Sequence, residues 1–439
     1  MDRERLALVL ISVTIGLFLS AAASAFGAES SPSPSPSPTA NPTTLFGFLR
    51  VDGEPVEGVE VAVSLEGEEV ETVATDEEGQ WQVRVPAGGE FEVEVLTDSL
   101  PDGTSLANPD NNPITITVGE GRRQAVGIRL VAGEGGGPAA DGGIAFGRYI
   151  DLTVDGLKLG TIIAITSIGL SLIYGVTGLI NFAHGELVVF GAAVAWFLNA
   201  SGAGPGMPLV FAAIIAVAAG GALGWGLESS IFRPLRRRKT GALALLLLTI
   251  GLSIGFRHII LMFIGGAGLS YTDYRIQREV AFGPVSITPK DLAIVIISIA
   301  LMVGVGLVLQ KTRLGTAMRA VADNRDLAES SGIDVEKIIL ATWIGGAALA
   351  ALGGIFQGLT SQVKWDMGFN LLLLMFAGVI LGGIGTAYGA MVGGLVIGVI
   401  TQLSTEISIE LKLAFAFMAL ILVLLVRPQG LLGREERVG

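Results

Sequence analysis

Asn181, His184 and Glu186 fall within the segment Gly178-Leu179-Ile180-Asn181-Phe182-Ala183-His184-Gly185-Glu186, which interrupts two long apolar runs. An amide, an imidazole and a carboxylate at this spacing offer a helix cap at Asn181 and a pairing between His184 and Glu186. Ionisable groups inside a membrane are costly and therefore often mark functional paths. A structural turn is the plainer role for His184 and Glu186, and contact between Asn181 and a solute stays open on the sequence alone. The remaining chemistry is narrow. With no cysteine and two histidines, the chain has no thiolate chemistry or disulfide, and the residue types argue against a transition-metal site. It has no G-x-x-x-x-G-K-[ST] and no Gly-Lys dipeptide, so it does not itself cradle nucleotide phosphates. No catalytic residue, cofactor or metal is expected on this chain.

A second polar stretch, Lys311–Lys337 (KTRLGTAMRAVADNRDLAESSGIDVEK), separates an apolar run ending at Leu309 from another beginning at Ile338. Each flank can cross the roughly 30 Å hydrocarbon core of a bilayer, so the stretch between them belongs in water. Its pattern predicts a helix with Ala317, Met318, Val321, Leu327 and Ala328 on one narrow apolar side, Thr312 or Thr316 as cap and Gly332 as stop. Such a helix, tied at both ends to spanning helices, suits the transmission of a push from a soluble partner. A solvated connecting loop fits the pattern equally. A third stretch, Gly378–Gly398, carries Gly385, Gly389 and Gly393 at four-residue spacing, repeated by Gly378/Gly382 and Gly394/Gly398. Small residues on one face let helix backbones approach closely in lipid. Glycine also permits broken helices whose backbone lines a polar path. Gly382, Gly383, Gly385, Gly389 and Gly393 are candidates for either role.

These stretches need a membrane-embedded scaffold, and the composition supplies one. Of 439 residues, 51% are hydrophobic and 62 are glycine, the make-up of a membrane protein. The net charge of −12 hides two unlike parts: residues 29–141 carry 21 acids and 5 bases, whereas 142–439 carry 17 acids and 21 bases. Residues 1–28 have the order of a secretory signal peptide or an uncleaved anchor: Arg3 and Arg5, an apolar run from Leu6 to Leu19, then Ala23-Ser24-Ala25. Residues 29–42 form a Ser/Pro spacer that cannot pack a core. From 43 to 131 the apolar period becomes two, in Val56, Val59, Val61, Val63 and Leu65, then Trp81, Val83 and Val85, then Phe91, Val93 and Val95, then Ile114, Ile116 and Val118. Turn signals at Asp52-Gly53, Glu78-Gly79, Gly88-Gly89 and Asp102-Gly103 complete the pattern of a small β-sandwich. Residues 132–148 make a Gly-rich linker, 149–433 hold the spanning segments, and 434–439 form a tail.

The expected fold is a polytopic α-helical membrane protein, with eight or nine spanning segments between about residues 157 and 426 and an N-terminal extracytoplasmic all-β sandwich domain. Bases concentrate in Arg233–Lys239, Lys311–Lys337 and Arg427–Arg437, which assigns these stretches and the C-terminus to the cytoplasm. Opposite sides for the sandwich and the C-terminus require an odd number of crossings. Nine satisfies this, and eight needs one re-entrant segment within Gly378–Gly398. The cluster at 233–239 lacks interleaved aromatics, so it sets topology rather than binding nucleic acid.

Three stretches together resemble the permease subunits of branched-chain amino acid ABC importers, the LivH-type inner-membrane permease family: GLKLGTIIAITSIGLSLIYGVTGLINFAHGE, TRLGTAMRAVADNRDLAESSGID and VILGGIGTAYGAMVGGLVIG, with the terminal RPQGLLG. The resemblance runs from about Leu157 to Gly433. It implies that Gly315, Arg319, Ala320, Asp323, Asn324 and Gly332 belong to a coupling helix that docks on an ABC ATPase subunit. It also implies a second permease subunit, ATP and Mg held by the ATPases, an extracytoplasmic solute-binding protein, and residence in the cell (plasma) membrane of a bacterium. Nearer the N-terminus, GFLRVDGEPVEGVEVAV followed by TDEEGQWQVRVP resembles carboxypeptidase regulatory-like sandwich domains, which implies a non-catalytic appendage. Signal, spacer and sandwich are not part of the usual permease pattern.

The resulting expectation is a transporter subunit that moves a branched-chain amino acid by alternating access, driven by a separate ATPase. Urea and short-chain amide permeases share the motifs. The reading from another class is a surface receptor or adhesion protein with a membrane anchor, and eight or nine glycine-packed spans exceed what anchoring requires.

Overall fold

The computed structural model describes residues 43–132, with gaps at 52–53, 66–67, 86–88, 102, 107–111, 119–122, 127 and 129, and residues 143–433, with gaps at 201–203, 275–276, 278–279, 283–284 and 409–410. The signal or anchor at 1–28, the Ser/Pro spacer, most of the Gly-rich linker, the Asp52-Gly53 turn and the tail at 434–439 lie outside the described residues. The chain divides into two compact units, one of strands and one of helices.

The strand unit contains β1 (Thr43–Phe48), β2 (Arg50–Val51), β3 (Glu54–Pro55), β4 (Glu60–Leu65), β5 (Glu68–Ala74), β6 (Gln80–Val85), β7 (Gly89–Val95), β8 (Thr104–Leu106), β9 (Ile114–Val118), β10 (Arg123–Ala125) and β11 (Leu130–Ala132). One sheet has the order β5-β4-β7-β9 and is antiparallel throughout, with Val61 opposite Val95 and Val93 opposite Ile114. A second has the order β10-β1-β6. Period-two alternation does what it predicts: Val61, Val63, Trp81, Val83, Val85, Phe91, Val93 and Val95 are buried while their neighbours Gln82, Arg84, Glu92 and Glu94 are exposed. Both sheets feed one apolar cluster, joined by Leu45 and Leu49. Strand β5 was not signalled by its apolar pattern. Its sequence EEVETVA has no buried residue, and at the sheet margin its carboxylates deter pairing with another chain.

The helical unit comprises α1 (Gly143–Thr177), α2 (His184–Asn199), α3 (Leu209–Leu227, continued by a π turn to Phe232 and a further turn to Arg237), α4 (Ala242–Ile264), α5 (Pro289–Lys311), α6 (Arg313–Asp323), α7 (Arg325–Ser330), α8 (Val335–Thr360), α9 (Met367–Gly382), α10 (Ala387–Leu403) and α11 (Lys412–Val426). Among the described residues, six helices are long and apolar enough to cross a membrane, and α2, α9 and α11 are shorter apolar helices. All nine expected apolar segments are therefore helical.

Helix α8 packs against α2 and α3. The close approaches are made by glycine. A Cβ on Gly169 would overlap Gly346, one on Gly191 would overlap Ala351, and one on Gly354 would overlap Val188. Backbones this near gain dispersion contacts that bulkier side chains would prevent, and in lipid those contacts drive helix association.

Candidate translocation path and coupling site

The segment between α1 and α2 does not stay at the end of the bundle. The Thr249 hydroxyl on α4 contacts the Ile180 carbonyl (3.4 Å) and accepts from the Phe182 amide (3.3 Å), and the Phe182 ring lies 5.1 Å from that of Phe376 on α9. His184 Nε2 meets the Thr166 carbonyl of α1 at 3.1 Å, and Thr166 precedes the end of α1 at Thr177 by 11 residues. At about 1.5 Å per residue, α2 starts roughly 16 Å back along α1. Its 16 residues then span only about 24 Å. Asn181 Oδ1 accepts from the Ala183 amide (3.0 Å), an Asx turn leading into the helix.

His184 and Glu186 do not pair with each other. The imidazole bonds backbone on α1, and Glu186 turns to α4. One carboxylate oxygen, Oε1, accepts from Ser253 Oγ (3.0 Å) and from Arg257 Nε and Nη2 (3.2 and 3.0 Å). The Arg257 guanidinium lies over the Phe369 ring of α9, 4.4 Å from its centroid. Asn181, His184 and Glu186 are all buried, and Asn181 Nδ2, His184 Nδ1 and Glu186 Oε2 lack hydrogen-bond partners among the described residues.

The polar stretch between α5 and α8 forms two helices rather than one. Thr312 caps α6, its hydroxyl accepting from the Gly315 amide (3.1 Å). Asn324 leaves helical geometry at φ −158° and caps α7, accepting from the Leu327 amide (2.9 Å). Gly332, at φ +84°, stops α7 as expected. Gly315, Met318, Val321 and Ala328 are buried, Ala317 and Ala320 are half-buried, and Leu327 is 64% exposed, contrary to its expected place on the apolar side. The break at Asn324 rotates α7 and turns Leu327 outward. Gly315 is needed where α6 folds back on α5, because a Cβ there would overlap Val308 and Leu309. Arg319, Asp323 and Asn324 lie on the exposed surface.

An ion cluster ties this pair of helices to the bundle. Glu336, in the first turn of α8, meets Arg325 of α7 (3.3 Å) and Arg233 and Arg236 at the end of α3 (2.8 and 3.3 Å). Arg236 also holds Glu228, which is fully buried in the π turn. The basic run at 233–239 thus has a structural use in addition to the topological one expected of it. Glu336 stands 103 and 100 positions from its α3 partners Arg233 and Arg236, a separation that leaves no sequence mark of the pairing, whereas Glu228 and Arg236 are only eight residues apart, across the end of the π turn.

The glycine-dense stretch folds as α9, a tight turn and α10. Gly378 and Gly382 approach Gly393–Gly394 and Gly389, whereas Gly385 lies in the turn at φ +80° and is not part of the helical ladder. Gly383, at φ +114°, receives the terminal RPQGLLG segment: the amides of Leu431 and Leu432 donate to the carbonyls of Leu381 and Gly382 (2.8 and 2.9 Å). The structure therefore gathers Asn181, His184 and Glu186 into one region and Gly382, Gly383, Gly389 and Gly393 into another. The coupling candidates occupy the α6–α7 pair. Thr249, Ser253 and Arg257 of α4 escaped the sequence reading, although a single arginine in an apolar helix is a visible signal.

A family model described as "Branched-chain amino acid transport system / permease component" matches residues 152–424. The high-affinity branched-chain amino acid transport system permease protein LivH of Escherichia coli (strain K12) is 33% identical over 299 residues, 66% of this chain and 96% of that protein. The BraD permease protein of Pseudomonas aeruginosa is 32% identical over 302 residues, covering 66% and 97%. A probable LivH of Methanocaldococcus jannaschii is 27% identical over 239 residues, covering 53% and 73%. Among solved structures, PsaBC from Streptococcus pneumoniae in complex with Fab aligns over 65% of this chain and 97% of that one, at 13% identity and a TM-score of 0.40.

Proposed function

This chain belongs to the family of branched-chain amino acid transport system permease components, and from that premise we propose how it works. It is a transporter subunit of the ABC importer class and not an enzyme, and it is integral to the membrane. In our reading its solute is a branched-chain amino acid, as the names of its relatives state for them; urea and amide permeases and a receptor role are not favoured.

The nine apolar helices cross the membrane nine times, with α6 and α7 outside it. This count is supported by charge. With nine crossings α3, α5 and α11 all end on one side, and each runs into a basic stretch at Arg233–Lys239, Lys311–Arg313 or Arg427. That side is the cytoplasm. The strand unit lies outside the cytoplasm as an accessory domain, with no part in the translocation step.

The α6–α7 pair is the dock for an ABC ATPase subunit that holds ATP and Mg. Gly315 permits the sharp return from α5, Arg319, Asp323 and Asn324 present the surface, Ala320 lies on the packing side, and Gly332 releases the chain into α8. A second permease chain completes the pathway, and an external solute-binding protein delivers the solute. Movement of the dock reaches the bundle through Glu336, which grips both α7 and α3. A partner can shift the inward-to-outward equilibrium only by binding the two states differently, so this link must hold while the helices move. Asn181, His184 and Glu186 support the path from behind as buried packing groups, and Gly382, Gly383, Gly385, Gly389 and Gly393 form its packed wall and hinge.

The observation that carries this reading is the family match across α1 to α11 with a polar helix pair held to two spanning helices by one carboxylate. Arg319→Glu is expected to detach or uncouple the ATPase while leaving the purified membrane part folded. Co-purification of the ATPase with undiminished coupled uptake would contradict the assignment.

A further inference from the structure

Helix α4 shows most of its surface to the outside of the unit: Leu243, Leu247, Ile254, Ile259 and Met262 are 71, 59, 53, 49 and 80% exposed. Arg257 interrupts this apolar surface seven residues before the helix ends at Ile264, roughly 10 Å along the axis. An arginine at such a depth is costly against lipid, and in membrane proteins it faces a partner or a water-filled path.

The way Arg257 is held leaves part of it unused. A carboxylate and a guanidinium that neutralise each other frequently pair fork to fork, through both oxygens and two nitrogens. Here Nε, Nη2 and the Ser253 hydroxyl all converge on the single oxygen Oε1 of Glu186. Nη1 makes no hydrogen bond among the described residues. Glu186 is sealed in, with its side chain 2% exposed, whereas the Arg257 side chain is 17% exposed and rests on Phe369, itself 40% exposed. Buried anion, oriented cation and accessible aromatic plane thus stand in sequence from the interior outward.

We propose that Arg257 receives the carboxylate of the transported solute, with Glu186 and Ser253 as positioning residues that fix the guanidinium and Phe369 as the apolar wall for the solute's side chain. The assignment rests on the permease reading and deepens it, by placing recognition of an aliphatic carboxylate on α4. A guanidinium suits this task better than an ammonium, because its planar fork offers two donors to the two carboxylate oxygens.

The chain has no cysteine, which allows a direct test in the assembled complex in vesicles. Ile254 lies one turn before Arg257 on the same face, so Ile254→Cys introduces a lone thiol beside the site. Its labelling by a charged thiol reagent is measured with L-leucine, with 4-methylpentanoate, which has the carboxylate and no amine, and with 3-methylbutylamine, which has the amine and no carboxylate. Leucine and 4-methylpentanoate should slow labelling severalfold and the amine should not. Adding Arg257→Gln should abolish the protection, and Arg257→Lys should weaken it while keeping the charge, which separates lost recognition from lost folding. Equal protection by the amine, protection that survives Arg257→Gln, or a thiol that no ligand protects would each overturn the assignment. ATP-driven leucine uptake by the unsubstituted complex is scored in parallel: its absence would strike the permease reading, and its presence with Arg257-independent protection would strike only this inference.

Discussion

The two units of this chain fill their interiors by opposite means. In the strand unit Trp81 and Phe91 are almost wholly enclosed among valines and leucines drawn from two sheets, and water expelled from those side chains supplies the driving force. In the helical unit the decisive contacts are made where side chains are missing, as at Gly382 against Gly389 and Gly169 against Gly346. Lipid removes the gain from hiding a leucine, so what remains is dispersion between backbones that nothing holds apart. The first unit should therefore be most sensitive to removal of atoms and the second to their addition.

The largest effect expected from this contrast is at Gly382. Its added Cβ would overlap the Gly389 backbone, so Gly382→Leu should abolish the folded, monodisperse permease in detergent size-exclusion profiles. A normal profile would show that α9 and α10 need no backbone contact. In the strand unit Phe91→Ala should cost about 3–5 kcal/mol of that unit's stability, the usual range for emptying a buried aromatic site, read from its own thermal transition. Leucine uptake by the complex should persist if that unit is an accessory domain, as proposed; a parallel loss of uptake would make it part of the machine.

What was legible in the sequence follows the same division. Period-two alternation announces β4, β6, β7 and β9 because each turns one face to the core, and it is silent on β5, which buries none. All nine apolar helices were visible from hydropathy, yet their spacing did not reveal which glycines meet. Gly385, in perfect step with Gly389 and Gly393, belongs to a turn. The polar stretch was readable as helical from its capping residues, but the break at Asn324 was not. Asn324 is both a plausible helix-surface residue and a good cap, and only the chain's geometry decides between them. Ion pairs between distant helices, such as Glu186–Arg257 and Glu336–Arg233, leave no local pattern at all.

Within the helical unit a more modest loss is expected where charge rather than glycine joins α7 to α3. Glu336→Gln leaves Arg233, Arg236 and Arg325 without their shared carboxylate. We expect uptake per ATP hydrolysed to fall by on the order of tenfold, equivalent to about 1.4 kcal/mol of lost coupling, with Glu336→Asp intermediate. Unchanged coupling would remove Glu336 from the transmission route.

The smallest effect concerns the cap of α8. Asp334 accepts from the Lys337 amide (3.1 Å) and pairs with its ammonium (2.8 Å), and these contacts hold its carboxyl below the usual carboxylate value. A depressed folded-state value means that the cap's contribution is present above the unfolded value, about 3.9 for Asp, and is lost as pH falls through the lower folded one. Pepsin cleavage between 327 and 338 should accelerate over that fall in the unsubstituted chain, while Asp334→Asn should show no such step. An identical profile in both would remove the cap from the account.

In our reading the polar helix pair is a cytoplasmic handle gripped by an ATPase, and a single thiol at Arg319→Cys reads it directly. In oriented vesicles of the complete complex, an impermeant reagent should label this cysteine only from the cytoplasmic face, and the bound ATPase subunit should block that labelling. Labelling from the opposite face, or equal labelling with and without the ATPase, would show that the α6–α7 pair is not the ATPase's dock.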